Sequence, residues 1–167
     1  MKKIIRAALA LTLCGAGFAQ ALRADVPRPA PNFGIDGVAK GSSLRSFRGQ
    51  PVVLVIARRA RDKEFREEVR RLRELYADFS NEKVVFVAAT EDGAGAVPSD
   101  IPFVTAANPA QVAADYGVNG RFAIAVIGVD GNLDLITQKL VAPERIRDAI
   151  FNNFESQTSA RKQPAQM

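Results

Sequence analysis

Side chains able to do chemistry are few in these 167 residues, and they are unevenly spread. There is no histidine, and Cys14 is the single cysteine. Imidazole catalysis, a histidine metal centre, an internal disulfide and a thiolate zinc site are all excluded by that count. Arginine and carboxylate remain, and they concentrate in Arg58-Arg59-Ala60-Arg61-Asp62-Lys63-Glu64, directly after the apolar run Pro51 to Ala57. Guanidinium groups offer planar paired donors to carboxylate, phosphate or sulfate. A helix start adds free N–H groups and the positive end of the helix dipole. Two functions fit this chemistry. One is a binding surface for a small anion or an acidic, periplasmic partner protein, carried by Arg58, Arg59 and Arg61. The other is a non-thiol enzyme for an anionic small molecule, with the same arginines as electrostatic stabilisers; it lacks any base or nucleophile beyond carboxylates. The structural alternative is a solvated turn in which Asp62 and Glu64 neutralise the arginines. Asp92, Asp100, Asp130 and Asp134 lack EF-hand spacing, and Asp130-Gly131 is accounted for by a turn. No metal and no cofactor are expected.

The elements that must position this cluster are legible around it. Val52 to Ala57 is continuously apolar, the pattern of a strand buried on both faces of a central sheet. A helix follows over Asp62 to Phe79, with Phe65, Val69, Leu72, Leu75, Tyr76 and Phe79 as its apolar stripe. Asp62 with Arg66, Glu67 with Arg71 and Arg70 with Glu74 are opposite charges at i,i+4, each worth about 0.2–0.5 kcal/mol. Lys83 to Ala89 is a second buried strand, which makes a right-handed βαβ unit with parallel strands. Phe33 to Ile35 suggests a short strand, with Asp36-Gly37 as its turn. Ser42 to Phe47 reads as a serine-capped helical turn.

Further along, Glu91 to Ile101 is a Gly- and Ala-rich loop, and Ile101 to Thr105 is a short edge strand. Asn108 caps a short helix with Pro109 at its first position, and Gly117 ends it. Phe122 to Val129 is a third core strand, Asp130-Gly131-Asn132 a hairpin turn, and Leu133 to Lys139 the antiparallel return. Pro143 opens a last helix that buries Ile146, Ala149, Ile150 and Phe154.

The N-terminus reads as a signal peptide over residues 1–21: Lys2, Lys3 and Arg6, an apolar stretch to Phe18, then Ala19-Gln20-Ala21. The apolar stretch is short of the roughly 20 residues that a membrane span needs. The expectation is a periplasmic or secreted protein with no stable membrane anchor after cleavage. Cleavage removes three of the 23 basic residues against 18 acidic ones, so the +5 charge shrinks to about +2. Nucleic acid is therefore not an expected partner. Residues 22–32 form a Pro-rich leader, 33–154 the domain and 155–167 a polar tail.

The order of elements now meets specific motifs. Ala30-Pro31-Asn32-Phe33, then Leu44, Gly49-Gln50-Pro51-Val52-Val53-Leu54, Tyr116-Gly117-Val118-Asn119-Gly120 and Val126-Ile127 with Asp130-Gly131 resemble exported thioredoxin-like proteins of the redoxin and thiol-disulfide-interchange type. The resemblance spans roughly residues 30–152. It implies an α/β fold, a thioredoxin-like three-layer sandwich with a mixed central sheet flanked by helices. It also places the family's Cys-x-x-Cys on Arg61-Asp62-Lys63-Glu64 and the family's cis-proline on Phe122. Arg61 and Glu64 are thus degenerate redox positions, neither able to supply a thiolate. A closer likeness is to a cysteine-free thioredoxin-like domain of unknown function from bacterial exported and animal matrix proteins, on the pattern of Phe122 to Phe154. The implication is a redox-inactive binding or accessory module without thiol-disulfide or peroxidase activity, meeting its partner through the Arg58–Glu64 corner or the loop at Phe122.

Overall fold

The computed structural model describes residues 28–36, 42–79, 83–92, 97 and 99–151. The expected signal peptide, the start of the leader, the turn at Gly37, residues 93–96 and 98 of the expected loop, Phe154 and the tail lie outside the described residues. The strands are β1 (Ile35–Asp36), β2 (Val52–Ala57), β3 (Val85–Thr90), β4 (Phe103–Ala106), β5 (Phe122–Ile127) and β6 (Leu133–Thr137). The helices are α1 (Lys63–Phe79), α2 (Pro109–Asp115) and α3 over 143–151, with a 3-10 turn at Leu44–Phe47.

One six-stranded sheet runs in the order β1-β4-β3-β2-β5-β6. β2 pairs parallel with β3 and antiparallel with β5, and β3 pairs parallel with β4. The central position of β2 follows from its sequence. Only a strand covered on both faces can carry six apolar residues in a row, and all six are buried. Pleating then divides them. Val53, Val55 and Ala57 join a core with Phe65, Leu72 and Phe79 of α1 and Ile146 and Ile150 of α3. Val52, Leu54 and Ile56 join a second core with Val112 and Tyr116 near α2 and with Phe33 and Leu44. The result is three layers. Each fully buried leucine or phenylalanine contributes roughly 1.5–3 kcal/mol of transfer free energy.

Four details differ from the sequence reading. β4 is not an edge, because the two-residue β1 pairs antiparallel outside it. Asn108 stands at the start of α2 in the left-handed region (φ 51°), and its side chain makes no capping hydrogen bond. Ala149 is half-buried, not buried. Glu68, on the inner face of α1, is fully buried. The described part of the leader is packed: Tyr116 Oη donates to the Pro31 carbonyl at 3.0 Å, and its ring meets Phe33 edge-on at 6.1 Å.

Candidate functional site

The arginine cluster falls at the carboxyl end of β2, where that strand turns into α1. The backbone there is tied on every side. Arg58 N–H donates to the Arg121 carbonyl (3.2 Å), and the Arg58 carbonyl accepts from Glu91 N–H (2.9 Å). This peptide extends the sheet pairing of β2 to both neighbours. Asp62 precedes the first residue of α1 and folds its carboxylate back onto Arg59 N–H (3.2 Å), while Asp62 N–H donates to the Arg59 carbonyl (3.0 Å). Ala60 N–H is shared between the two carboxylate oxygens of Asp92 (3.4 and 3.3 Å). The N–H groups of residues 58–60 and Asp62 are therefore already satisfied by internal acceptors, two of them carboxylates. Those four donors are not vacant for an external anion. What the corner does offer is side chains. Arg58, Arg59 and Arg61 are exposed, and among the described residues none of them enters an ion pair. Glu64, in the first turn of α1, is exposed and is placed favourably toward the helix dipole.

Phe122 is close in register but not in access. It opens β5 opposite Ala57 and is 4% exposed, within the same core as Phe65. Its side chain presents no surface to a partner, which leaves the arginines as the accessible part of the expected site. Position 122 is preceded by a trans peptide bond. The loop before it is held by Gly120 N–H donating to Gln138 Oε1 (2.9 Å). The four aspartates considered as metal ligands are dispersed. Asp92 serves Ala60, Asp100 pairs with Arg73 (3.1 Å), and Asp130 accepts from Asn132 N–H (2.9 Å) and Nδ2 (2.7 Å).

Of the expected helix pairs, Glu67–Arg71 (3.2 Å) and Arg70–Glu74 (3.3 Å) form, and Arg70 also meets Glu67 at 2.6 Å. These bonds from Arg70 and Arg71 hold the Glu67 carboxyl below its ordinary range. Asp62 is engaged with the loop backbone, not with the Arg66 guanidinium.

Glu68 is the feature that the sequence reading missed. Its Oε2 accepts from Val141 N–H (3.1 Å), while Arg71 donates to the Val141 carbonyl (3.2 Å), so α1 grips both backbone polar groups of one residue just before α3. Oε1 has no partner. Burial pushes the Glu68 carboxyl up to about 7, against the opposing effect of the Val141 hydrogen bond. The signal was present in the sequence: position 68 lies between Phe65 and Leu72 on the apolar stripe.

No protein-family model matches the chain, and no curated protein matches it. Solved structures do. A thioredoxin-like superfamily protein superposes with a TM-score of 0.60 at 16% identity, over 75% of this chain and 96% of its own. The thioredoxin domain of a thiol-disulfide oxidoreductase from Bacteroides vulgatus gives 0.57 at 19%, over 78% and 95%. The fold is thioredoxin-like. The 2-Cys peroxiredoxin of Plasmodium vivax, at 0.56 and 15% over 83% and 99%, extends the same architecture to a third kind of protein. At these identities the likeness carries architecture and not activity. Within this thioredoxin-like frame the chain holds one cysteine, Cys14, and none from residue 15 onward.

Proposed function

We propose that the protein is an exported, redox-inactive thioredoxin-like module that binds an acidic partner through Arg58, Arg59 and Arg61. One observation carries this reading. At and just before the position where the resemblance puts a thiol pair, the chain presents three exposed guanidinium groups, none in an ion pair among the described residues, on a hydrogen-bonded loop. Thiol chemistry does not transfer from the neighbours, because Arg61 and Glu64 provide neither a nucleophile nor a resolving group. The enzyme reading has less support: two of the corner's carboxylates, Asp62 and Asp92, are occupied with backbone N–H groups.

Arginines on a tied backbone lose side-chain rotamer freedom, but no backbone freedom, on meeting carboxylates, and gain paired, charge-assisted bonds. Retention of the protein on immobilised poly-glutamate tests this. The protein elutes at higher salt than its Arg58→Gln/Arg59→Gln/Arg61→Gln variant; identical elution of the two removes the corner from the account. Export is tested by fractionation and N-terminal sequencing, with a mature chain beginning near Leu22 as the expected result. Recovery of uncleaved protein from the cytoplasm contradicts it.

A further inference from the structure

The arginine corner takes up one end of β2. The other end, roughly 17 Å away by strand rise, opens onto a cavity of about 340 Å³. Its floor is made by the buried side chains of Leu44, Val52 and Ile127, with Phe47 on one wall and exposed Arg45 and Arg48 at the rim. An apolar floor with a few polar groups at one side, at this volume, is the usual make-up of a small-ligand site.

Three segments enclose the cavity, and each is hydrogen-bonded to the other two. The leader joins the β5–β6 hairpin through Ala30 N–H to the Gly131 carbonyl (3.0 Å) and Leu133 N–H to the Arg28 carbonyl (2.8 Å). The segment after the 3-10 turn joins the hairpin through Gly49 N–H to the Val129 carbonyl (2.9 Å). The 3-10 turn joins the leader through Leu44 N–H to the Phe33 carbonyl (2.9 Å) and Arg45 N–H to Asn32 Oδ1 (3.3 Å). Such a closed ring preorganises the cavity, which reduces the ordering cost of binding. Gly131 has a positive φ of 84°, and a β-carbon there would stand 3.7 Å from Arg48 Nε, so the guanidinium lies beside the hairpin turn. Among the described residues neither Arg45 nor Arg48 has an ion-pair partner. Asp130, the nearest acid in sequence to the turn glycine, is engaged with Asn132.

We propose that this cavity binds a small amphiphilic anion, a carboxylate on an aliphatic body. The aliphatic part lies against Leu44, Val52 and Ile127, and Arg45 and Arg48 meet the carboxylate. The site is separate from the arginine corner and does not depend on its function.

The test is a titration of the 15N-labelled protein with octanoate, and with octanol as its uncharged counterpart, followed by amide chemical shifts. Octanoate shifts the amides of Leu44, Arg48, Gly128 and Gly131 saturably, and octanol binds about tenfold more weakly, the loss of a charge-assisted contact. In Arg45→Gln/Arg48→Gln the advantage of octanoate over octanol disappears; both side chains are exposed, so the fold is retained and the spectrum verifies it. The Arg58→Gln/Arg59→Gln/Arg61→Gln variant binds octanoate unchanged, which separates this site from the corner. Equal affinity for octanol and octanoate, unaltered octanoate affinity in Arg45→Gln/Arg48→Gln, or shifts absent from the four amides overturns the proposal.

Discussion

At the residue scale, Glu68 shows how a fold sets the state of one carboxyl. A carboxylate with one hydrogen bond in an apolar layer is costly, so the folded chain favours the neutral acid. The sign of the pH dependence follows. The folded value, about 7, lies above the ordinary 4.5. The stabilisation is complete below about 4.5 and is lost as pH rises to about 7. Integrated over that window the loss is on the order of 3 kcal/mol. Glu68→Gln keeps an acceptor for Val141 N–H and cannot ionise. Its unfolding free energy, from urea titrations at several pH values, stays nearly flat between pH 4.5 and 7 relative to the parent and exceeds the parent's at pH 8. Parallel profiles for the two proteins would show that Glu68 is not the titrating group. A second residue prediction concerns Tyr116, whose hydroxyl ties the leader to α2. Tyr116→Phe removes that bond and costs about 0.5–1.5 kcal/mol in urea unfolding; a change near zero means that the leader contributes nothing there.

At the element scale, the β2–α1–β3 unit is the frame. Its far end is an aromatic cluster in which Phe86 of β3 contacts Tyr76 (5.9 Å), Phe79 (6.2 Å) and Phe103 (5.9 Å) between ring centres. Phe86→Ala empties the centre of that cluster and lowers stability by about 3–5 kcal/mol; a loss below 1 kcal/mol by denaturant midpoint means that the cluster repacks or was loose. This unit was also the most legible part of the sequence. An unbroken apolar strand has one physical explanation, burial on both faces, and a three-and-four stripe has one orientation against it. Legibility failed where long-range pairing decides. Nothing local to Phe103–Ala106 reveals that β1 will cover its outer edge. Asn108 has a capping side chain, but its left-handed backbone directs it elsewhere. The resemblance places the family's cis-proline on Phe122, yet which way that side chain points depends on the register of β5. Glu68 stood on the apolar stripe in the sequence, but its partner did not show. A glutamate among arginines reads as part of a solvated face, until Val141 arrives from 73 residues away to bond it.

At the scale of the whole molecule, the two ends of β2 have different surfaces. The amino end carries the cavity; the carboxyl end carries arginines on a loop whose N–H groups at residues 58–60 and 62 are internally bonded. This second arrangement supports a contact surface better than a catalytic pocket, because its cations are exposed and two of its carboxylates, Asp62 and Asp92, hold the loop backbone. Electrostatic contacts of that kind weaken with ionic strength. The decisive measurement is fluorescence anisotropy of a labelled glutamate-rich peptide, titrated with the protein and with the Arg58→Gln/Arg59→Gln/Arg61→Gln variant at low and physiological salt. The protein binds the peptide saturably, the variant binds it about tenfold or more weakly, and salt reduces both. Equal binding by the two proteins, or none by either at low salt, contradicts it.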